Sequence, residues 1–233
     1  MEKREGKTLL ILAIMTSMLL SIVAIVPASA PAATLGVEPD KIINPALQAG
    51  STFKLEVWVR NVANLAGVEF KLSYNTTILD ATLIEYGGIF GGTYFEWVKT
   101  INDAEGWLHY SISEYFGEPP FTGDGRVANI TFTVDSYGSS LLDLYETALG
   151  DEIIPPNPID HTVLDSYFRN KLTGDADGDR TVNVFDILKV KYHWYPGPPA
   201  GAGGYDRDVD CDDDGSINVF DILVVKANWG NSI

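Results

Sequence analysis

Asp175-Ala-Asp-Gly-Asp-Arg-Thr-Val-Asn-Val-Phe-Asp186 is answered by Asp210-Cys-Asp-Asp-Asp-Gly-Ser-Ile-Asn-Val-Phe-Asp221. Aligned at an offset of 35, residues 175–194 and 210–229 are identical at 12 of 20 positions, and the copies end on Trp194 and Trp229. In both, oxygen-bearing groups stand at positions 1, 3, 5, 7 and 12 of a twelve-residue loop. Calcium is a hard cation that takes roughly six to eight oxygens, and such a loop supplies them from those positions. The alternation is needed because a chain wrapped round an ion turns every second side chain inward. The first ligand set is Asp175, Asp177, Asp179, the carbonyl of Thr181 and Asp186. The second is Asp210, Asp212, Asp214, the carbonyl of Ser216 and Asp221. Asn183 and Asn218 hold position 9, which often acts through a water. An acidic run is ordinarily a solvated loop, but that does not explain the same register twice before the same apolar segment. Two calcium ions are expected.

Two departures from the general loop pattern stand out. Arg180 occupies position 6 of the first loop, where Gly215 keeps the usual glycine of the second, so the first site is expected to be strained and weaker. Position 12 is aspartate rather than glutamate in both. Each loop leads into a helix but none precedes it: residues 169–174 are too few, and Tyr195-Pro-Gly-Pro-Pro-Ala-Gly-Ala-Gly-Gly204 cannot be helical. This loop–helix duplication, about residues 172–231, resembles the type I dockerin module. The resemblance implies two calcium-loaded units packed antiparallel, with the residues before the last ligand choosing the partner. Those are Val184 and Phe185 in one copy and Val219 and Phe220 in the other. Dockerins often carry small or polar residues there, so a greasier contact is expected, in two pseudo-symmetric orientations. The alternative is that Phe185 and Phe220 are core residues between the helices.

Upstream the texture is β. Phe53, Leu55, Val57 and Val59 alternate with Lys54, Glu56, Trp58 and Arg60; Val68, Phe70, Leu72 and Tyr74 alternate with Glu69, Lys71 and Ser73; Ala128, Ile130, Phe132 and Val134 do so with Asn129, Thr131 and Thr133. Period-2 patterning marks strands with one buried and one wet face. Turn signals such as Asn61-Val-Ala-Asn64, Gly87-Gly88 and Gly123-Asp-Gly125 separate them. The expected fold is an all-β sandwich over 31–168, a linker over 169–174, and a small all-α loop–helix duplication over 175–231 with calcium loops at 175–186 and 210–221. Val37-Glu-Pro39, Gly67-Val-Glu-Phe-Lys-Leu-Ser-Tyr-Asn75, Leu79-Asp80 and Val127-Ala-Asn-Ile-Thr-Phe-Thr-Val134 look like a cohesin domain of the jelly-roll kind. Cohesins are the receptors of dockerins, with one sheet face as platform. The two resemblances together imply a scaffold or adaptor of the cellulosome type.

Lys3, Arg4 and Lys7 precede an apolar run from Leu9 to Val26, with a small-x-small site at Ala28-Ser29-Ala30. That is the layout of a secretory signal over 1–30. The run is also nearly long enough for an uncleaved anchor. Both place the remainder outside the cytoplasm, secreted or at the cell surface. Cleavage removes three of 16 basic and two of 32 acidic residues, leaving 13 against 30 and a net charge of −17. Such a chain repels nucleic acid and anionic lipid. Eleven aspartates fall between Asp175 and Asp221, a block that cations must neutralise. The single cysteine, Cys211, excludes an intrachain disulfide and reads as a bystander in its loop. Asn75 and Asn129 begin glycosylation sequons.

No motif selects a carboxylate pair for glycoside hydrolysis, and there is no nucleophile elbow, histidine zinc pair or phosphate loop; His109 and His161 stand alone. The expected function is therefore a non-catalytic adaptor. Its partners would be cohesin or dockerin domains of other chains, its own kind included, in a setting of extracellular polysaccharide breakdown implied by the resemblance. Two alternatives remain open. Trp58, Trp97 and Trp107 could stack on polysaccharide, making the sandwich a carbohydrate-binding module carried on a dockerin, or the chain could be a calcium-stiffened surface protein.

Overall fold

The computed structural model describes residues 32–194 and 204–233. The expected leader over 1–30 and most of the Pro/Gly connector lie outside them. Ten strands run in the order β1 (Ala33–Glu38), β2 (Lys41–Ile43), β3 (Thr52–Ser73), β4 (Leu79–Tyr86), β5 (Tyr94–Asn102), β6 (Trp107–Glu114), β7 (Phe121–Val134), β8 (Ser139–Asp151), β9 (His161–Leu164) and β10 (Ser166–Arg169). Two helices follow, α1 (Val184–Tyr192) and α2 (Val219–Ala227). Among the described residues no helix is long and apolar enough to cross a membrane.

The 22-residue strand β3 organises the sandwich. Its first half pairs with β1 and β7, and its second half with β6 and β8. Between the halves, Asn61 and Asn64 take left-handed backbone conformations and the register to β7 slips at Val59/Val62 and Val62/Leu65. Bulges of this kind bend a strand, and here the bend carries β3 from one layer to the other. One layer is then β4-β7-β3-β1-β9, and the other is β5-β6-β3-β8-β10-β2. The expected alternation is met: Leu55, Val57, Val59, Phe70, Leu72, Ile130, Phe132 and Val134 are fully enclosed in one continuous core. Phe53 of β3 stacks on Phe132 of β7 at 5.6 Å and on Phe168 of β10 at 4.9 Å, tying the layers together.

The stretch 169–174 is a connector only in sequence. Arg169 ends β10, and both Arg169 and Asn170 are buried. Asn170 Nδ2 donates to the carbonyls of Leu47 and Ser136, and its Oδ1 accepts from Gly138 N. A polar side chain engaged three times anchors this short polar connector in the fold. Residues Ala32–Ile233 accordingly form one compact unit.

Candidate metal centre and docking faces

The two loops share one backbone plan. Positions 4 and 6 are left-handed in both, and each loop meets that demand with one glycine at opposite places: Gly178 and Arg180 in the first, Asp213 and Gly215 in the second. A non-glycine residue there costs of order 1 kcal/mol, so neither loop is free of strain. The sequence pattern exposed Arg180 but not Asp213.

Position 9 has a role that the calcium pattern hides. Asn183 and Asn218 are helix N-caps whose side chains accept from Phe185 N and Phe220 N, and each completes a capping box with position 12. Asp186 accepts from Ala176 N at 2.8 Å, Asp177 N at 3.1 Å and Asn183 N at 2.7 Å. Asp221 does the same with Cys211 N, Asp212 N and Asn218 N. The short aspartate suits this double task of closing the loop and starting the helix. The signal was legible as Asn-x-x-Asp, twice.

Carboxylate oxygens of Asp175, Asp177 and Asp186 lie within 4.8 Å of one another in the first loop, and those of Asp210, Asp212 and Asp214 do so in the second. Asp179 is left out of the first group and Asp221 out of the second; the Asp179 side chain instead accepts from Thr181 N. Burial, followed by the charges of Asp221 and Asp214, pushes Asp212 up to about 6. Burial also raises Asp177, with the neighbouring aspartates adding to it, and raises Asp221. Crowded, all-oxygen and partly desolvated, the donor set fits a hard divalent cation, which would relieve the repulsion.

Behind the loops lies a small core of Ala176, Val182, Val190, Val209, Cys211, Ile217 and Val225. Cys211, expected as a bystander, belongs to it, and burial pushes its thiol up to about 12. Val184, Phe185, Val219 and Phe220 do not belong: all four are exposed, Phe185 by 60% and Phe220 by 57%. Leu188, Tyr192, Leu223 and Trp229 are exposed with them, so each helix carries an uncovered apolar face.

The opposite side of the module rests on the sandwich. Asp208 accepts from Ser139 Oγ at 2.7 Å, Lys171 Nζ at 2.9 Å and the Tyr167 hydroxyl. Arg169 donates to the carbonyls of Arg207 and Asp210, Lys41 pairs with Asp213, and Arg207 lies over the Tyr167 ring at 4.2 Å. Tyr137 reaches Asp175 from the β7–β8 turn. Sequence reasoning missed all of these, since no local pattern links strand ends to loop aspartates.

The three tryptophans do not share one face. Trp58 sits in the β1–β3–β7 layer with Arg60 4.7 Å from its ring, whereas Trp97 and Trp107 lie on β5 and β6 of the other layer. Trp97 joins Phe95 and Phe116 in lining an open groove of about 810 Å³.

Residues 41–152 match the family model of the Cohesin domain, and residues 173–229 match that of the Dockerin type I domain. The chain therefore carries a cohesin domain followed by a type I dockerin domain. Both are non-catalytic interaction domains, and they bind one another. Type I dockerins are generally calcium-binding, and proteins with these domains are typically extracellular. No curated protein matches the chain. Among solved structures it is similar to a non-cellulosomal cohesin from the hyperthermophilic archaeon Archaeoglobus fulgidus, at 18% identity and TM-score 0.46, over 60% of this chain and 91% of that one. It is also similar to a type II cohesin domain from the cellulosome of Acetivibrio cellulolyticus, at 16% identity and TM-score 0.47, over 60% and 96%. A third is a type I cohesin–dockerin complex from Clostridium thermocellum, at 14% identity and TM-score 0.49, over 60% and 99%.

Proposed function

We propose that this chain is a secreted, non-catalytic adaptor whose dockerin domain binds two calcium ions and docks through its helix faces onto the cohesin domain of another chain, its own kind included. Asp175, Asp177, Asp179, Asp186 and the Thr181 carbonyl would hold one ion. Asp210, Asp212, Asp214, Asp221 and the Ser216 carbonyl would hold the other. The ion supplies the positive charge that lets these aspartates close round each loop; the chain's own part is to cap the helices and present their faces. The observation that carries this function is the exposure of Val184-Phe185 and Val219-Phe220 on a module whose other side is held by the sandwich. An apolar face left open on a module that is already seated against the sandwich is a surface for a partner. Assembly of this kind fits a scaffold for extracellular polysaccharide breakdown.

Docking between copies is head-to-tail, so it propagates chains rather than closing a dimer. Light scattering on residues 31–233 tests this. The molar mass should grow with concentration in calcium and collapse to the monomer in chelator. A monomer in both conditions would reject self-docking and leave outside cohesins as the partners to try.

A further inference from the structure

The first aspartate of each loop is held by a tyrosine hydroxyl, and the two tyrosines come from different places. Tyr205, just ahead of the second loop, donates to Asp210 Oδ2 at 3.0 Å. The repeat places Asn170 at the equivalent position of the first copy, and its side chain is engaged inside the sandwich. The vacancy is filled from the sandwich itself. Tyr137, in the turn between β7 and β8, donates to Asp175 Oδ2 at 2.5 Å and accepts from Leu172 N at 2.7 Å. The match extends to the backbone: Asp175 Oδ2 also accepts from Arg180 N, and Asp210 Oδ2 from Gly215 N. In both loops, then, one oxygen of the first carboxylate is fixed by a tyrosine hydroxyl and the position-6 N–H.

Arg180 completes the arrangement. Its guanidinium lies 5.3 Å from the centre of the Tyr137 ring, in range of a cation–π contact. The residue that breaks the glycine rule of the first loop is the one that grips the sandwich tyrosine. The second loop has glycine, Gly215, at this place.

We propose that Tyr137 of the sandwich is a positioning residue of the first calcium site, so that the cohesin domain is part of that site and the two near-identical loops bind calcium with unequal affinity. This rests on the calcium binding proposed above. Partners that orient a metal ligand typically change affinity by about 10- to 100-fold when removed. A hydroxyl that pins the Asp175 carboxylate acts in that way, and does so across a domain boundary.

The test is calorimetric titration of metal-stripped residues 31–233 with calcium chloride, for the wild type, Tyr137→Phe and Tyr205→Phe. Two unequal sites are expected in the wild type. Tyr137→Phe should weaken one of them by about 10-fold and leave the other within about twofold, while Tyr205→Phe should weaken the other. A Tyr137→Phe protein in which neither site changes by more than about twofold, or both fall together, would overturn the assignment. Absence of any calcium binding by the wild type would overturn the calcium assignment and this one with it. Should Tyr137→Phe fail to fold, the ring resonances of Tyr137 in the wild type decide. They should shift with the filling of one site and be indifferent to the other; a shift that follows both sites equally, or neither, would overturn the proposal.

Discussion

The first and second loop–helix copies carry the same helix-starting sequence, Asn-Val-Phe-Asp-Ile-Leu, and the same capping box, yet they are supported differently. The second loop takes its tyrosine from the residues just ahead of it and a glycine at position 6; the first takes its tyrosine from the sandwich and accepts an arginine in a left-handed conformation. Duplication supplies two equal devices, and the neighbouring fold makes them unequal. The difference lies in what surrounds the loops, because the apolar helix faces are equally exposed in both copies.

The sharpest way to break this comparison is to remove the last aspartate of each loop in turn. Asp186→Ala leaves three backbone N–H groups without their acceptor, and a buried unsatisfied donor costs about 1–3 kcal/mol. With one of the three donors buried and the others part-buried in each loop, each of Asp186→Ala and Asp221→Ala should lower stability by about 1–3 kcal/mol, read from the urea midpoint, and reduce the calcium stoichiometry by one ion. Equal losses would show that capping is shared by the copies; a larger loss for one would reveal which loop the small module core depends on.

A second comparison concerns docking. If the copies offer two equivalent orientations, Phe185→Ala or Phe220→Ala alone should raise the concentration needed for assembly only about twofold, a statistical factor. The double change removes an aromatic anchor from both faces, and losing such an anchor costs at least ~2 kcal/mol. Assembly should then weaken by about 30-fold or more. A single change that abolishes assembly would mean that one face alone is used, despite identical sequences.

The smallest effect is expected at the residue that departs most visibly from the loop pattern. Arg180→Gly relieves a left-handed conformation worth of order 1 kcal/mol and loses a cation–π contact worth about 0.5–1 kcal/mol. The two nearly cancel, so thermal unfolding in chelator should move by only a degree or two either way. A large stabilisation would show that Arg180 contributes nothing to the grip on Tyr137.

Much of the fold was legible because it rests on local periods. Alternation alone put Leu55, Val57, Phe70 and Phe132 inside, since one face of each strand must be apolar for the layers to bury it. The acidic loops were legible because every second side chain of a wrapped loop points the same way. Other features were not. Cys211 looked like a bystander until Val209, Ile217 and the helices closed over it. Residues 169–174 looked like a linker because the burial of Arg169 and Asn170 depends on strands far away in the chain.

By itself, then, the sequence determined an alternating β-domain, two twelve-residue acidic loops and two apolar helix starts, all of which follow from spacing along a few residues. Only the tertiary structure decided that the dockerin domain is seated on its own sandwich, that Tyr137 reaches Asp175, and that Phe185 and Phe220 face outward. Those outcomes depend on which surfaces meet after β3 has bent between its layers. A contact between residues 38 positions apart leaves no period in the sequence to announce it.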